Sequence, residues 1–149
     1  MNDLVKINND RIALYQKALE QANGIDSYLQ EMFTNIIKEA ECFRQQLMQK
    51  TQQSNTKKTT TLIGKIYTAW FDLKLSFKVD TQKTVISSYL YNEEVALQVY
   101  KAALGMYNDM GSEIFQLIEK QKNALRANYD NIKNFRETCR SINYSVLHF

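Results

Sequence analysis

Proline is absent from this chain of 149 residues, and glycine occurs only four times. A β-sandwich or barrel of this length needs many tight turns, and those draw on Gly and Pro. The shortage excludes a turn-rich fold and predicts a few long helices. Long apolar runs are missing too. No stretch approaches the roughly 20 apolar residues of a membrane span, so no membrane partner is expected. Met1 to Asp10 lack the apolar core of a signal peptide, and the expected location is the cytoplasm. Nor is charge of one sign gathered anywhere. The net charge is +3, with acids and bases interleaved as in Glu39, Glu41, Arg44 or Glu119, Lys120, Lys122. A nucleic-acid footprint concentrates cations in one stripe, so nucleic acid is not an expected partner. Lys57-Lys58, in a polar loop, is the nearest approach to a basic patch.

Histidine occurs once, as His148, and cysteine twice, as Cys42 and Cys139 on separate expected helices. Nothing in their spacing demands a disulfide, and reduced core thiols are expected.

What is present is helical periodicity. Leu4, Ile7, Leu14, Ala18 and Ala22 predict a first helix over about 4–22. Asp26-Ser27 are good N-cap residues, with Gln30 placed as in a capping box. They open a second helix, about 27–50, whose stripe is Leu29, Met32, Phe33, Ile36, Ile37, Ala40, Phe43 and Leu47. A polar stretch follows, and Ile66, Trp70, Leu73 and Phe77 predict a short helix, about 64–77, inside a connection over 51–80. Val85, Tyr89, Ala96, Val99, Tyr100 and Ala103 mark a third long helix, about 81–104. Ile114, Leu117, Ile118, Leu125, Ile132 and Phe135 mark a fourth, about 112–139. Residues 1–140 are read as one all-α domain and 141–149 as a C-terminal tail.

Connections after the first and third long helices are short, so each pair should form an antiparallel hairpin. The long middle connection can travel the length of the bundle. Two hairpins joined by one crossover is the ferritin-like arrangement. An echo between helices agrees with it. Leu14-Tyr15-Gln16-Lys17-Ala18-Leu19 resembles Val99-Tyr100-Lys101-Ala102-Ala103-Leu104, and aligning the tyrosines puts Ala18 on Ala103. Recurrent tyrosine and alanine in any bundle helix is the plainer explanation, and the two stand level.

Several strings together resemble a bacterial ferritin-like four-helix-bundle family of unknown function. They are Asn9-Asp10-Arg11-Ile12-Ala13-Leu14-Tyr15, then Leu62-Ile63-Gly64 with Trp70-Phe71-Asp72-Leu73-Lys74 and Asp80. Glu93-Glu94-Val95-Ala96-Leu97 with Tyr100 follows, then Gln121 with Asp130-Asn131-Ile132. The resemblance covers about residues 4–136 and implies a bundle with a helical crossover, without an activity, substrate or cofactor. Members often carry Glu and His on the fourth helix, where Ala124 and Tyr129 stand here.

A carboxylate-bridged dimetal site needs a Glu from each of two helices and a Glu-x-x-His pair from each of the others. One histidine near the end of the chain cannot supply both pairs. Glu39-Ala40-Glu41-Cys42 has cysteine at the histidine slot, and Glu93 and Glu94 alone look right. No metal or cofactor is therefore expected. Catalytic residues are not expected either, since no serine sits in a glycine elbow and no glycine-rich phosphate loop is present.

Tyr89, Glu93, Ala96 and Tyr100 share one helical strip, as do Leu4, Asn8, Arg11, Tyr15 and Ala18. Charged residues are rarely buried unless paired, so exposure of Arg11 and Glu93 on the outer face is the ordinary expectation. The sharper alternative is a buried polar layer in which Arg11 faces Glu93 beside Tyr15 and Tyr100, its charge standing in for the metals of ferritins. Gln121 and Asn128 interrupt the apolar strip of the fourth helix and either join that layer or lie at a wet boundary. Trp70 and Phe71 form a candidate contact surface. The function expected is a non-enzymatic bundle acting through protein contacts, as a homo-oligomer and first of all a dimer. A degenerate carboxylate metal binder and a small-molecule binder are the alternatives.

Overall fold

The computed structural model describes residues 1–21, 26–53, 82–106 and 111–147. They form four helices: α1 (Asn2–Gln21), α2 (Ser27–Gln53), α3 (Gln82–Met106) and α4 (Ser112–Leu147). The protein is an all-α four-helix bundle, and no strand occurs among the described residues. No described helix is long and apolar enough to cross a membrane.

Two boundaries differ from expectation. The connection expected from residue 51 begins later, because α2 continues to Gln53, where the Thr51 hydroxyl donates to the Leu47 carbonyl at 2.8 Å. The tail expected from 141 is helical as far as Leu147, because no proline or glycine after Gly111 interrupts the backbone ladder. At the start of α2 the cap is Asp26 rather than Ser27. Its Oδ1 accepts from the Tyr28 amide at 2.8 Å, and its carbonyl accepts from the Gln30 amide at 3.1 Å. The short helix expected at 64–77, with Gly24 and Gly64, lies outside the described residues.

Cross-helix bonds set the directions. Asn9 meets Arg44 and Arg11 lies near Glu39, so α1 and α2 run antiparallel. Asn8 meets Tyr100 and Arg11 meets Glu93, so α1 and α3 also run antiparallel. Gln46 with Gln121 and Glu39 with Asn128 give the same relation for α2 and α4. α2 and α3 are thus parallel, and the end of α2 and the start of α3 lie at opposite ends of the bundle. That is the arrangement of two hairpins joined by one end-to-end connection.

Two apolar clusters fill the interior. Leu4, Ile7, Leu47, Val99, Ala103 and Ile118 belong to one, and Tyr15, Leu29, Phe33, Ile36, Tyr89 and Ile132 to the other. Complete burial of each such aliphatic side chain is worth about 1.5–3 kcal/mol. Phe33, Tyr15 and Tyr89 pack with ring centroids 4.5–5.1 Å apart. Polar residues lie between the two clusters, and they form the candidate site.

Candidate functional site

Arg11 is 0% exposed and so is Glu93. The ordinary expectation of exposure is overturned here, because each charge finds its counter-charge inside. Arg11 Nε donates to Glu93 Oε1 and Nη2 to Oε2, both at 3.1 Å, a two-pronged pairing that fits the planar guanidinium. Arg11 Nη1 donates to Asn8 Oδ1 at 3.0 Å. The Tyr15 hydroxyl donates to Glu93 Oε1 at 2.7 Å. Both carboxylate oxygens of Glu93 are therefore engaged, one of them twice.

A second run of bonds crosses all four helices. Asn8 on α1 donates to the Tyr100 hydroxyl on α3 at 2.8 Å, and that hydroxyl donates to Gln121 Oε1 on α4 at 2.7 Å. Gln121 Nε2 donates to Gln46 Oε1 on α2 at 3.0 Å. Gln121 is buried and joins the layer. Asn128 is half-buried at its margin, where it donates to Glu39 Oε1 at 2.7 Å. That oxygen lies 3.8 Å from Arg11 Nη2, with the Glu39 side chain 30% exposed. Glu39 is thus where the interior network meets water.

The layer repeats itself by a two-fold rule. Asn8 and Tyr15 on α1 are seven residues apart, as are Glu93 and Tyr100 on α3. Each tyrosine hydroxyl meets the polar residue of the other helix: Tyr15 with Glu93, Tyr100 with Asn8. Glu39 and Gln46 on α2 stand in the same relation to Gln121 and Asn128 on α4, paired crosswise. The symmetry breaks at one place. Arg11 on α1 corresponds to Ala96 on α3, so a small, fully buried residue stands where a second arginine would be.

Burial and charge act against each other at these groups. Burial opposes the Arg11 charge, but the Glu93 carboxylate and its hydrogen bonds outweigh that, and the guanidinium is raised above its ordinary value. Burial pushes the Tyr15 phenol well up, and Glu93 adds to it. Tyr100 is raised by burial, and Tyr89 is pushed up to about 12 by the same cause. Burial raises Glu39, against the opposing pull of Arg11 and Asn128.

These donors do not fit a dimetal centre. Glu93 already neutralises Arg11, and among the described residues no group of three His, Cys, Asp or Glu side chains is placed to hold a cation. Asn8 shares the strip of Arg11 and Tyr15, Glu39 stands in the string with cysteine at the histidine slot, and Gln46 is not among the expected members of the layer. Gln46 flanks the Phe43–Leu47 stripe, and only its seven-residue spacing from Glu39 marks it. Cys42 is exposed and Cys139 half-buried, both as free thiols, so neither is the core thiol expected. Trp70, Phe71 and His148 lie outside the described residues.

No curated protein matches the chain. Residues 1–106, which span α1, α2 and α3, match the family described as Domain of unknown function (DUF2383), and the chain belongs to that family.

Proposed function

We propose that this protein is a non-enzymatic bundle of ferritin-like ancestry that acts in the cytoplasm through self-association or protein contacts. The observation that carries this reading is Arg11. Its guanidinium occupies the middle of the bundle and satisfies both oxygens of Glu93, the acid that a metal-binding bundle would commit to its cations. A permanent cation belonging to the chain leaves the acid nothing further to neutralise. The layer is furnished to set the register of four helices, since a buried network is favourable only when every member is paired. Nucleic acid is not a partner in this reading, because the charges interleave, and a homodimer is the first assembly to look for.

Elemental analysis of protein purified without chelators, together with light scattering on the same sample, tests it. Less than stoichiometric metal and a mass near twice the 17.4 kDa chain are expected. Stoichiometric iron or manganese would replace this reading with a degenerate carboxylate metal binder. One observation favours that second reading or a small-molecule binder: Glu39 reaches both water and the neighbourhood of Arg11. A Glu39→Gln change that released a bound ion or ligand would establish it.

A further inference from the structure

The bonds of the polar layer fall mostly on one boundary. Asn8 to Tyr100, Arg11 and Tyr15 to Glu93, Gln121 to Gln46 and Asn128 to Glu39 all join the hairpin α1–α2 to the hairpin α3–α4. This boundary is where the two halves of the chain recognise each other.

The two-fold rule makes the halves near copies at this level, and a near copy is a competitor. When two chains meet, one α1–α2 hairpin could take the place of an α3–α4 hairpin. Asn8 and Tyr15 stand at the same spacing as Glu93 and Tyr100, so the tyrosine bonds alone do not tell the halves apart. The charges do. Two α3–α4 hairpins would bring two Glu93 carboxylates into the interior, with Ala96 at the place of each arginine. Two α1–α2 hairpins would gather two Arg11 guanidiniums and leave each only Glu39 of its own hairpin, 3.8 Å away and 30% exposed. A buried charge without its partner is strongly disfavoured, and pairings that fail in this way give specificity to the one that works. Only unlike hairpins close the two-pronged bond between Arg11 and Glu93, both fully buried.

We propose that Arg11 and Glu93 make the two hairpins selective for each other across chains, and that a second copy joins this protein by exchanging hairpins. In that dimer α1–α2 of each chain packs on α3–α4 of the other. Exchange of an identical element needs no new surface, because the same residues meet in the same register. Every bond of the layer is kept. Residues 54–81 join the end of α2 to the start of α3, at opposite ends of the bundle. A stretch of that length reaches at most on the order of 90 Å. The 25 residues of α3 rise roughly 37 Å. The connection is therefore long enough to lead to a neighbouring bundle as well as along its own.

This inference rests on the self-association reading, and the experiment separates their failures. Full-length Arg11→Met and Glu93→Leu chains, one of them isotopically labelled, are unfolded in urea, mixed in equal amounts and refolded together. Native mass spectrometry then counts mixed and self-paired dimers. Each variant paired with itself strands a buried charge in both bundles. Exchanged with each other, the two variants make one bundle with the native pair and one with neither charge. The mixed dimer should outnumber the self-paired dimers together by on the order of tenfold or more, and should melt above either variant refolded alone. Mixed dimers at or below the half that chance allows overturn the exchange. If the wild type is dimeric in the same instrument, self-association then still stands. A monomeric wild type overturns both.

Discussion

Arg11 and Glu93 show how a charge can be buried at tolerable cost. Removing two ions from water costs several kcal/mol each, and only close geometry with further hydrogen bonds offsets that. Here Asn8 and Tyr15 supply the further bonds. Loss of one partner strands the other, so Glu93→Leu should destabilise the bundle by about 3–5 kcal/mol in urea denaturation. Arg11→Met combined with Glu93→Leu removes both charges together and should recover most of that loss. If the double variant is no better than the single one, the pair is not the source of the penalty. Tyr15→Phe leaves a charged acceptor one bond short and should cost about 1.5–3 kcal/mol in the same assay. The pairing was legible in part. Helical spacing put Arg11 and Glu93 on the right strips, but exposure is the usual fate of such residues, and only the two-pronged geometry of the pair shows why both charges lie inside.

At the scale of the elements, the stripes of α1, α2 and α4 were readable because each helix buries one face and leaves the other wet. α3 was placed in span, but its stripe took in only part of what it buries, since buried positions extend around much of it, from Ile86 and Leu90 to Val95, Leu97 and Val99. Caps and ends were the least readable parts. Asp26 and Ser27 are both good caps, and the choice between them depends on backbone geometry that composition does not carry. Asp26→Ala should lower stability by about 0.5–2 kcal/mol in thermal melts, whereas Ser27→Ala should have little effect. The layer's α2 member Gln46 escaped notice because a glutamine beside an apolar stripe looks like any boundary residue.

For the whole molecule, three buried phenols link the fold to alkali. Tyr15, Tyr89 and Tyr100 all have folded values above the ordinary 10.0. Such groups contribute stability that is fully present below the unfolded value and is lost as pH rises toward the folded one. The bundle should therefore weaken progressively above about pH 10, with tyrosinate absorbance and loss of helicity rising together. Glu39 has the same sign at the acid end of the range. Its raised value means the folded state holds its proton more firmly, so mild acid relieves a small penalty between the raised value and the ordinary 4.5. Glu39→Gln should remove that acid-side gain from a pH series of melting temperatures. Few turns, four long periodic segments and one long connection were enough to anticipate the all-α bundle, because burial of apolar faces decides the number and order of rods.

The bonds from Asn8 through Tyr100 and Gln121 to Gln46 all donate in one rotational sense. An amide turned over at any link would set donor against donor or acceptor against acceptor, so the orientation of one member dictates the rest. The Tyr100 hydroxyl hydrogen is consequently pinned between two neighbours and shielded from solvent. It should survive long enough to give its own downfield nuclear resonance, and Asn8→Ala should erase that signal by freeing the circuit to reverse.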